Sequence, residues 1–249
     1  MTTSTELASP NPLEIHRRRW DVVPVGFERK KTADLQALSD QELMAYWEAA
    51  KKFATTGKHY NDRGWYHELY KDVFKSKKVL EIGSGFGIDA MTFAPICKSY
   101  TCLDIVPSNL AVLKRLAGIK KITNCNFFFM EKIEDLKGLD RDFDVVFAQG
   151  SLHHAPFETV RQEVKILAQH LVVGGRWIQL AYPKGRWIKN GRPPFSKWGK
   201  FTDGEETPWV EWYDWPKLRA LLSPAKFDLL MTFEYWKGEF VWFDLLRRG

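Results

Sequence analysis

Apolar and polar positions change rhythm along the chain, and each change predicts an element. Ser39-Asp40-Gln41-Glu42 has the form of a capping box, a serine cap with a glutamate three residues on. Leu43, Tyr46, Trp47, Ala50 and Phe53 then recur at helical spacing and predict one apolar stripe. Trp65, Tyr66, Leu69, Tyr70 and Val73 predict a second. From residue 78 the apolar runs become short and rich in β-branched and aromatic side chains, the mark of buried strands, at 78–82, 100–105, 127–130, 144–149 and 176–182. Helical segments alternate with them, one of them opening at 88–94. Alternating strands and helices predict an α/β fold around a mostly parallel sheet. A helix over 214–222 and two strands, 227–235 and 240–246, close the pattern, making seven strands with a final hairpin.

The first strand runs into VLEIGSGFGIDA, with glycines at 83, 85 and 87. Strand, glycine turn and helix together form a mononucleotide-binding unit. The spacing is G-x-G-x-G, because position 88 is Ile, and so departs from the dinucleotide pattern G-x-G-x-x-G. Glu81 says more. A carboxylate near that strand exit repels phosphate and favours an ammonium or a sulfonium. S-adenosylmethionine carries both of those cations and no phosphate.

These residues resemble the class I S-adenosylmethionine-dependent methyltransferases, from about residue 77 to the C-terminus. EIGSGFG, with Glu81, Gly83, Ser84 and Gly85, is similar to that family's first motif. Asp104 ends the second strand twenty-one residues after Gly83, where a carboxylate can accept both ribose hydroxyls, and Ile105 follows it. Residues 133–136, opening with Ile133 and Glu134, are similar to the segment whose backbone meets adenine. Lys132 stands where the family often has an acid, with Glu131 as the alternative. Gln149 ends the fourth strand, and residues 171–176 resemble the turn before the fifth. The resemblance implies a doubly wound, seven-stranded Rossmann-like sheet, with S-adenosylmethionine as cofactor and S-adenosylhomocysteine as product. Residues 1–76 then form an N-terminal arm and helical cover, 77–249 the methyltransferase domain, and 182–212 a substrate lid inserted after strand five.

Composition narrows the setting. No apolar run approaches membrane-spanning length, and the N-terminus lacks the apolar core of a secretory leader, so a soluble cytoplasmic protein is expected. Cys97, Cys102 and Cys125 lack metal spacing and read as buried thiols. A net charge of +6 is modest, and no nucleic-acid partner is expected. Residues 1–12 read as a disordered start. The basic segments around Arg17-Arg18-Arg19 and Arg29-Lys30-Lys31 read as a solvated arm.

Eight of the eleven tryptophans lie from Trp177 onward. Connection 183–212 is long, dense in aromatics and basic until Asp203, which argues against disorder and suggests a substrate lid or wall; a surface excursion whose aromatics pack back on the domain or form an oligomer contact stays open. Trp187 and Trp198 are its candidate substrate contacts. His59 and Tyr60 are candidates from the N-terminal cover.

Methyl transfer to a hydroxyl needs a base, and His153 and His154 follow strand four at the ligand-binding edge. Either is a candidate catalytic base, and a scaffold role for the pair stays open. Asp140, Asp142 and Asp144 alternate, but they precede strand four at the opposite end. No metal ligand is assigned, and Mg²⁺ stays open. The expected acceptor is a small polar molecule such as a sugar derivative, because indoles stack on sugar faces. A hydrophobic or carboxylate-bearing natural product is the alternative, and a non-catalytic cofactor-binding partner protein is the rival of another class. Oligomeric state stays open.

Overall fold

In the computed structural model, which describes residues 12–22, 30–56 and 60–249, the apolar runs of the sequence lie side by side. The strands are β1 (Lys78–Ile82), β2 (Ser99–Asp104), β3 (Cys125–Phe129), β4 (Phe143–Gln149), β5 (Leu171–Pro183), β6 (Trp212–Tyr213), β7 (Phe227–Tyr235) and β8 (Phe240–Arg247). Their order is β3-β2-β1-β4-β5-β8-β7. β1 to β5 run parallel, whereas β8 pairs antiparallel with β5, and β7 with β8. β6 is the eighth strand against seven expected. Its two residues, beside the end of β5, are too few to set a period.

Around the sheet lie α1 (Pro12–Val22), α2 (Thr32–Ala37), α3 (Asp40–Thr55), α4 (Tyr60–Leu69), α5 (Lys71–Phe74), α6 (Ala90–Phe93), α7 (Pro107–Ile119), α8 (Phe157–His170), α9 (Lys184–Lys189), α10 (Phe195–Trp198) and α11 (Trp215–Leu222). Strand alternation divides the core between the two faces. Val79, Tyr100, Val145, Phe147 and Ile178 join a buried cluster with α3, α4 and α7. Leu80, Ile82, Leu103, Val146 and Trp177 join a second with α8 and α11. The sheet is therefore covered on both sides, and β1 sits at the switch point where connections leave in opposite directions.

The Ser39–Glu42 capping box forms and opens α3. Two members of the predicted stripes do not face the core. Phe53 is 43% exposed and Leu69 71%, while Ala54 is buried. α4 is held by aromatic packing: Tyr66 stacks on Trp242 at 4.7 Å, and Trp65 meets the same indole edge-on at 5.0 Å. Such pairs contribute about 0.5–1.5 kcal/mol each beyond burial.

The turn expected over 171–176 is taken into β5. Leu171 pairs with Phe143, then the register shifts so that Arg176 pairs with Val145. Gly175 permits this crowded passage, since a Cβ there would stand 2.8 Å from the Val172 carbonyl oxygen.

The basic segment at residues 16–20 is not a solvated arm. It forms α1, whose His16 is buried and whose Arg17 donates to the carbonyls of Ile105 (2.8 Å), Met130 (3.4 Å) and Glu131 (2.6 Å). Carbonyls at the carboxyl edge of a sheet need donors from outside it, and the guanidinium supplies several in one plane. The disordered start expected over residues 1–12 falls almost entirely outside the described residues, as does Arg29. No described helix is long and apolar enough to cross a membrane.

Candidate functional site

A cavity of about 510 Å³ opens at the carboxyl ends of β1, β2 and β4. Of the residues expected to hold the cofactor, Glu81, Gly83, Ser84, Gly85, Asp104, Ile105 and Gln149 all line it. The loop is built closely. Gly83 has φ +70°, its N–H reaches the Leu103 carbonyl at 2.8 Å, and a Cβ on it would stand 2.5 Å from that of Ser151. Only glycine fits a position with both that φ and that clearance. Ser151 donates to the Ile82 carbonyl at 2.6 Å, tying the segment after β4 to the end of β1.

Asp104 fixes the loop from the other side. One carboxylate oxygen accepts from Gly85 N–H (2.9 Å) and Asn109 (3.4 Å), the other from Val106 N–H (2.9 Å). Burial raises its pKa, and these donors work in the opposite direction. Glu81 is buried, and its Oε2 has no partner. Burial first, and the nearby Asp89 second, push its carboxyl well above the usual range. A buried carboxyl left this way gains from any cation brought beside it.

Sequence reasoning missed the charge network below. Asp89 pairs with Arg63, accepts from Tyr66 at 2.8 Å, and contacts His67 at 2.7 Å. Burial works to raise Asp89, but Arg63, His67 and Tyr66 overcome it and hold the carboxyl at about 2. The spacing of Arg63, Tyr66 and His67, at i, i+3 and i+4 on α4, was a readable signal of a shared face.

The histidine pair divides. His154 lines the cavity, packed on Trp20 of α1 with ring centroids 4.4 Å apart. Its Nε2 lies 3.9 Å from Asp203, and its Nδ1 has no partner. Burial lowers its pKa, opposed by Asp203. His153 does not line the cavity. It is 1% exposed, lies 4.4 Å from the Tyr182 ring, and burial holds it well below the usual histidine range. Atoms of His153, His154 and Asp203 lie within 4.8 Å of one another, a donor set that could hold a divalent ion. The positive fields of Arg186 on His153 and Arg19 on His154 oppose one.

His16 and Glu163, also missed, line the same cavity. Burial, then repulsion from His154, brings His16 down to about 4. Glu163 interrupts the buried stripe Val160, Val164 and Leu167 of α8, a signal visible in the sequence. Trp236 and Phe240, at the tip of the closing hairpin, line the mouth.

Other expected site residues lie elsewhere. Ile133 and Glu134, in the 3-10 turn Ile133–Gly138, do not line the cavity; Ile133 packs towards the second core cluster and Glu134 is exposed. Trp198 is fully buried and donates to Asn190 at 3.0 Å, while Trp187 donates to the Pro193 carbonyl and packs on Phe195 and Trp212. Neither reaches the cavity. His59 lies outside the described residues, and so does the side chain of Tyr60, which opens α4.

A parallel sheet closed by an antiparallel hairpin, with an acid-lined glycine loop at its switch point, is the Rossmann-like methyltransferase fold. Residues 79–175 match the family model described as a methyltransferase domain. The chain is 30% identical over 101 residues to an uncharacterised methyltransferase, YcgJ, of Bacillus subtilis (strain 168). That stretch is 41% of this chain and spans about two fifths (39%) of the relative. Among solved structures, it is similar to the N-methyltransferase NodS from Bradyrhizobium japonicum WM9 in complex with S-adenosyl-L-homocysteine. That likeness has a TM-score of 0.58 at 14% identity and covers 88% of this chain and 97% of the other. It is also similar to magnesium protoporphyrin IX methyltransferase (ChlM) from Synechocystis PCC 6803 with bound S-adenosyl-L-homocysteine. There the TM-score is 0.56 at 16% identity, covering 95% and 94%. At such identities the likeness is one of fold.

Proposed function

We propose that the chain transfers the methyl group of S-adenosylmethionine to a hydroxyl of a small-molecule acceptor, with His154 as the base. The observation that carries this is one cavity lined both by Glu81, whose Oε2 has no hydrogen-bond partner among the described residues, beside the glycine loop, and by a buried histidine, His154. Glu81 fits the donor's ammonium group, and Asp104, with three of its four acceptor positions taken, keeps one for a ribose hydroxyl. Bound there, the sulfonium supplies a methyl that is already activated. The protein's work is then to align, to exclude water and to remove one proton.

His154 suits that last task. Burial disfavours its charged form, so the ring is held in the neutral form that can accept a proton, and the Asp203 carboxylate 3.9 Å away favours the imidazolium that forms. Trp20, Leu13 and Leu152 shield the ring's side of the cavity from water. The lining favours an apolar or aromatic hydroxylated acceptor over a sugar. The sugar reading rested on Trp187 and Trp198, and those indoles pack within their own wall.

The test is methyl-donor turnover with a panel of phenols and aliphatic alcohols, read as S-adenosylhomocysteine by mass spectrometry. With an active acceptor, His154→Ala should lose roughly 10²–10⁴-fold in kcat. His153→Ala should keep most of it. A fully active His154→Ala protein removes the base. Calorimetry showing no S-adenosylhomocysteine binding removes the whole reading.

A further inference from the structure

Six carboxyl groups are buried among the described residues: Glu81, Asp89, Asp104, Glu163, Glu211 and Asp244. Four have their partners. Asp89 holds Arg63, and Asp104 three donors. Glu211 takes Phe157 N–H, Trp209 and Lys217, and Asp244 pairs with Arg176 and accepts from Tyr70. Glu81 and Glu163 are left over, and both line the same cavity.

The donor's ammonium accounts for Glu81. The donor carries a single ammonium group, and Glu81 takes it, so none is left for Glu163. It lies on α8, lines the cavity with Leu152, Val160 and Leu13, is 7% exposed, and has no hydrogen bond or ion pair among the described residues. We propose that Glu163 is the acceptor-recognising residue, and that the acceptor is an amine whose ammonium group pairs with it. This rests on the reading of the cavity as a methyl-transfer site.

Burial is a cost that selection removes easily, by glutamine or leucine, unless the charge meets a partner. A hydroxyl would fill one lone pair and leave the charge uncompensated, whereas an ammonium does both. Among the described residues no cation is placed to do so. On α1, His16 is held near 4 by burial and by His154. After β4, burial keeps His154 neutral. α11 brings Lys217, tied to Glu211, and β6 brings Tyr213, whose ionisation burial pushes up. The 3-10 turn Ile133–Gly138 brings apolar Leu136 as its buried residue. Burial alone moves Glu163, to about 7, so its charge varies over the ordinary pH range.

The probe pair is tyramine and 4-ethylphenol, which differ in the ammonium group. Both are titrated by calorimetry into full-length protein saturated with S-adenosylhomocysteine. The wild type should prefer tyramine by about tenfold or more, as for a hydrogen bond to a charged group. Its tyramine affinity should rise roughly tenfold from pH 6 to pH 8 as the carboxyl ionises. Glu163→Gln, which keeps the side chain's size, should abolish both effects and still bind S-adenosylhomocysteine. A wild type that prefers neither probe, binds neither, or a preference that survives in Glu163→Gln overturns the proposal. Failure to bind S-adenosylhomocysteine at the outset instead removes the methyl-transfer reading beneath it.

Discussion

Glu163 offers a measurement on stability that needs no acceptor. Its carboxyl stands at about 7 in the folded protein against an ordinary 4.5, through burial alone. A tenfold change in proton affinity is worth about 1.4 kcal/mol, so a gap of about 2.5 powers of ten corresponds to roughly 3 kcal/mol. Between the two values the folded protein keeps the proton and the unfolded chain has lost it. Stability therefore falls as pH rises from about 4.5 to about 7, and is level on either side. Glu163→Gln carries no such proton. Below pH 4.5 the two proteins should be nearly equal, since a neutral carboxyl and an amide differ little in size. At pH 8 the variant should be the more stable by roughly 3 kcal/mol, less whatever water relieves in the cavity. Urea unfolding of both proteins at half-unit steps from pH 4 to 8.5, without ligand, gives the difference directly. Glu81, whose carboxyl is also raised, and every other group cancel in the subtraction. A difference that does not vary with pH, or one that grows towards acid, refutes the argument that the group is buried without a partner.

Five further changes separate donor, cover and wall. Asp104→Ala should weaken S-adenosylhomocysteine binding by about 1.5–3 kcal/mol in calorimetry, the range for hydrogen bonds to charged groups; unchanged affinity would free Asp104 of any donor role. Arg17→Ala strips one donor group from the Ile105, Met130 and Glu131 carbonyls and should raise hydrogen exchange across α1, while deletion of residues 1–10 should leave turnover intact. Trp236→Ala should raise the acceptor KM with little change in melting temperature, because this indole is 39% exposed at the cavity mouth. Trp187→Ala should do the reverse, through its packing on Phe195 and Trp212.

The position of the proposed donor side of the cavity was legible because its residues are set by their own segments. A strand end, a tight glycine turn and a second strand end put Glu81, Gly83 and Asp104 in place wherever such a unit folds. Its register, with Glu81 beside Cys102 and Phe147, follows from the apolar pattern of those strands. The acceptor side follows no such local rule. α1 docks through Arg17 onto carbonyls some 90 to 115 positions away, and nothing in a basic run of residues announces which carbonyls those are. Aromatic density did mark the connection after β5 as ordered, but without a period it could not say which way an indole faces. Trp187 and Trp198 turn to one another's neighbours, while Trp236, in a left-handed turn with φ +50°, meets the cavity. Glu163 was the exception: a carboxyl inside the stripe of Val160, Val164 and Leu167 already breaks the pattern that buries a helix. The two halves of the cavity are thus specified separately, one by a short motif and the other by α1, α8 and the hairpin tip. On the proposed function, substitutions in those three elements would change the acceptor while Glu81 and Asp104 keep the donor, so acceptor class should be sought in those elements and not in the glycine loop.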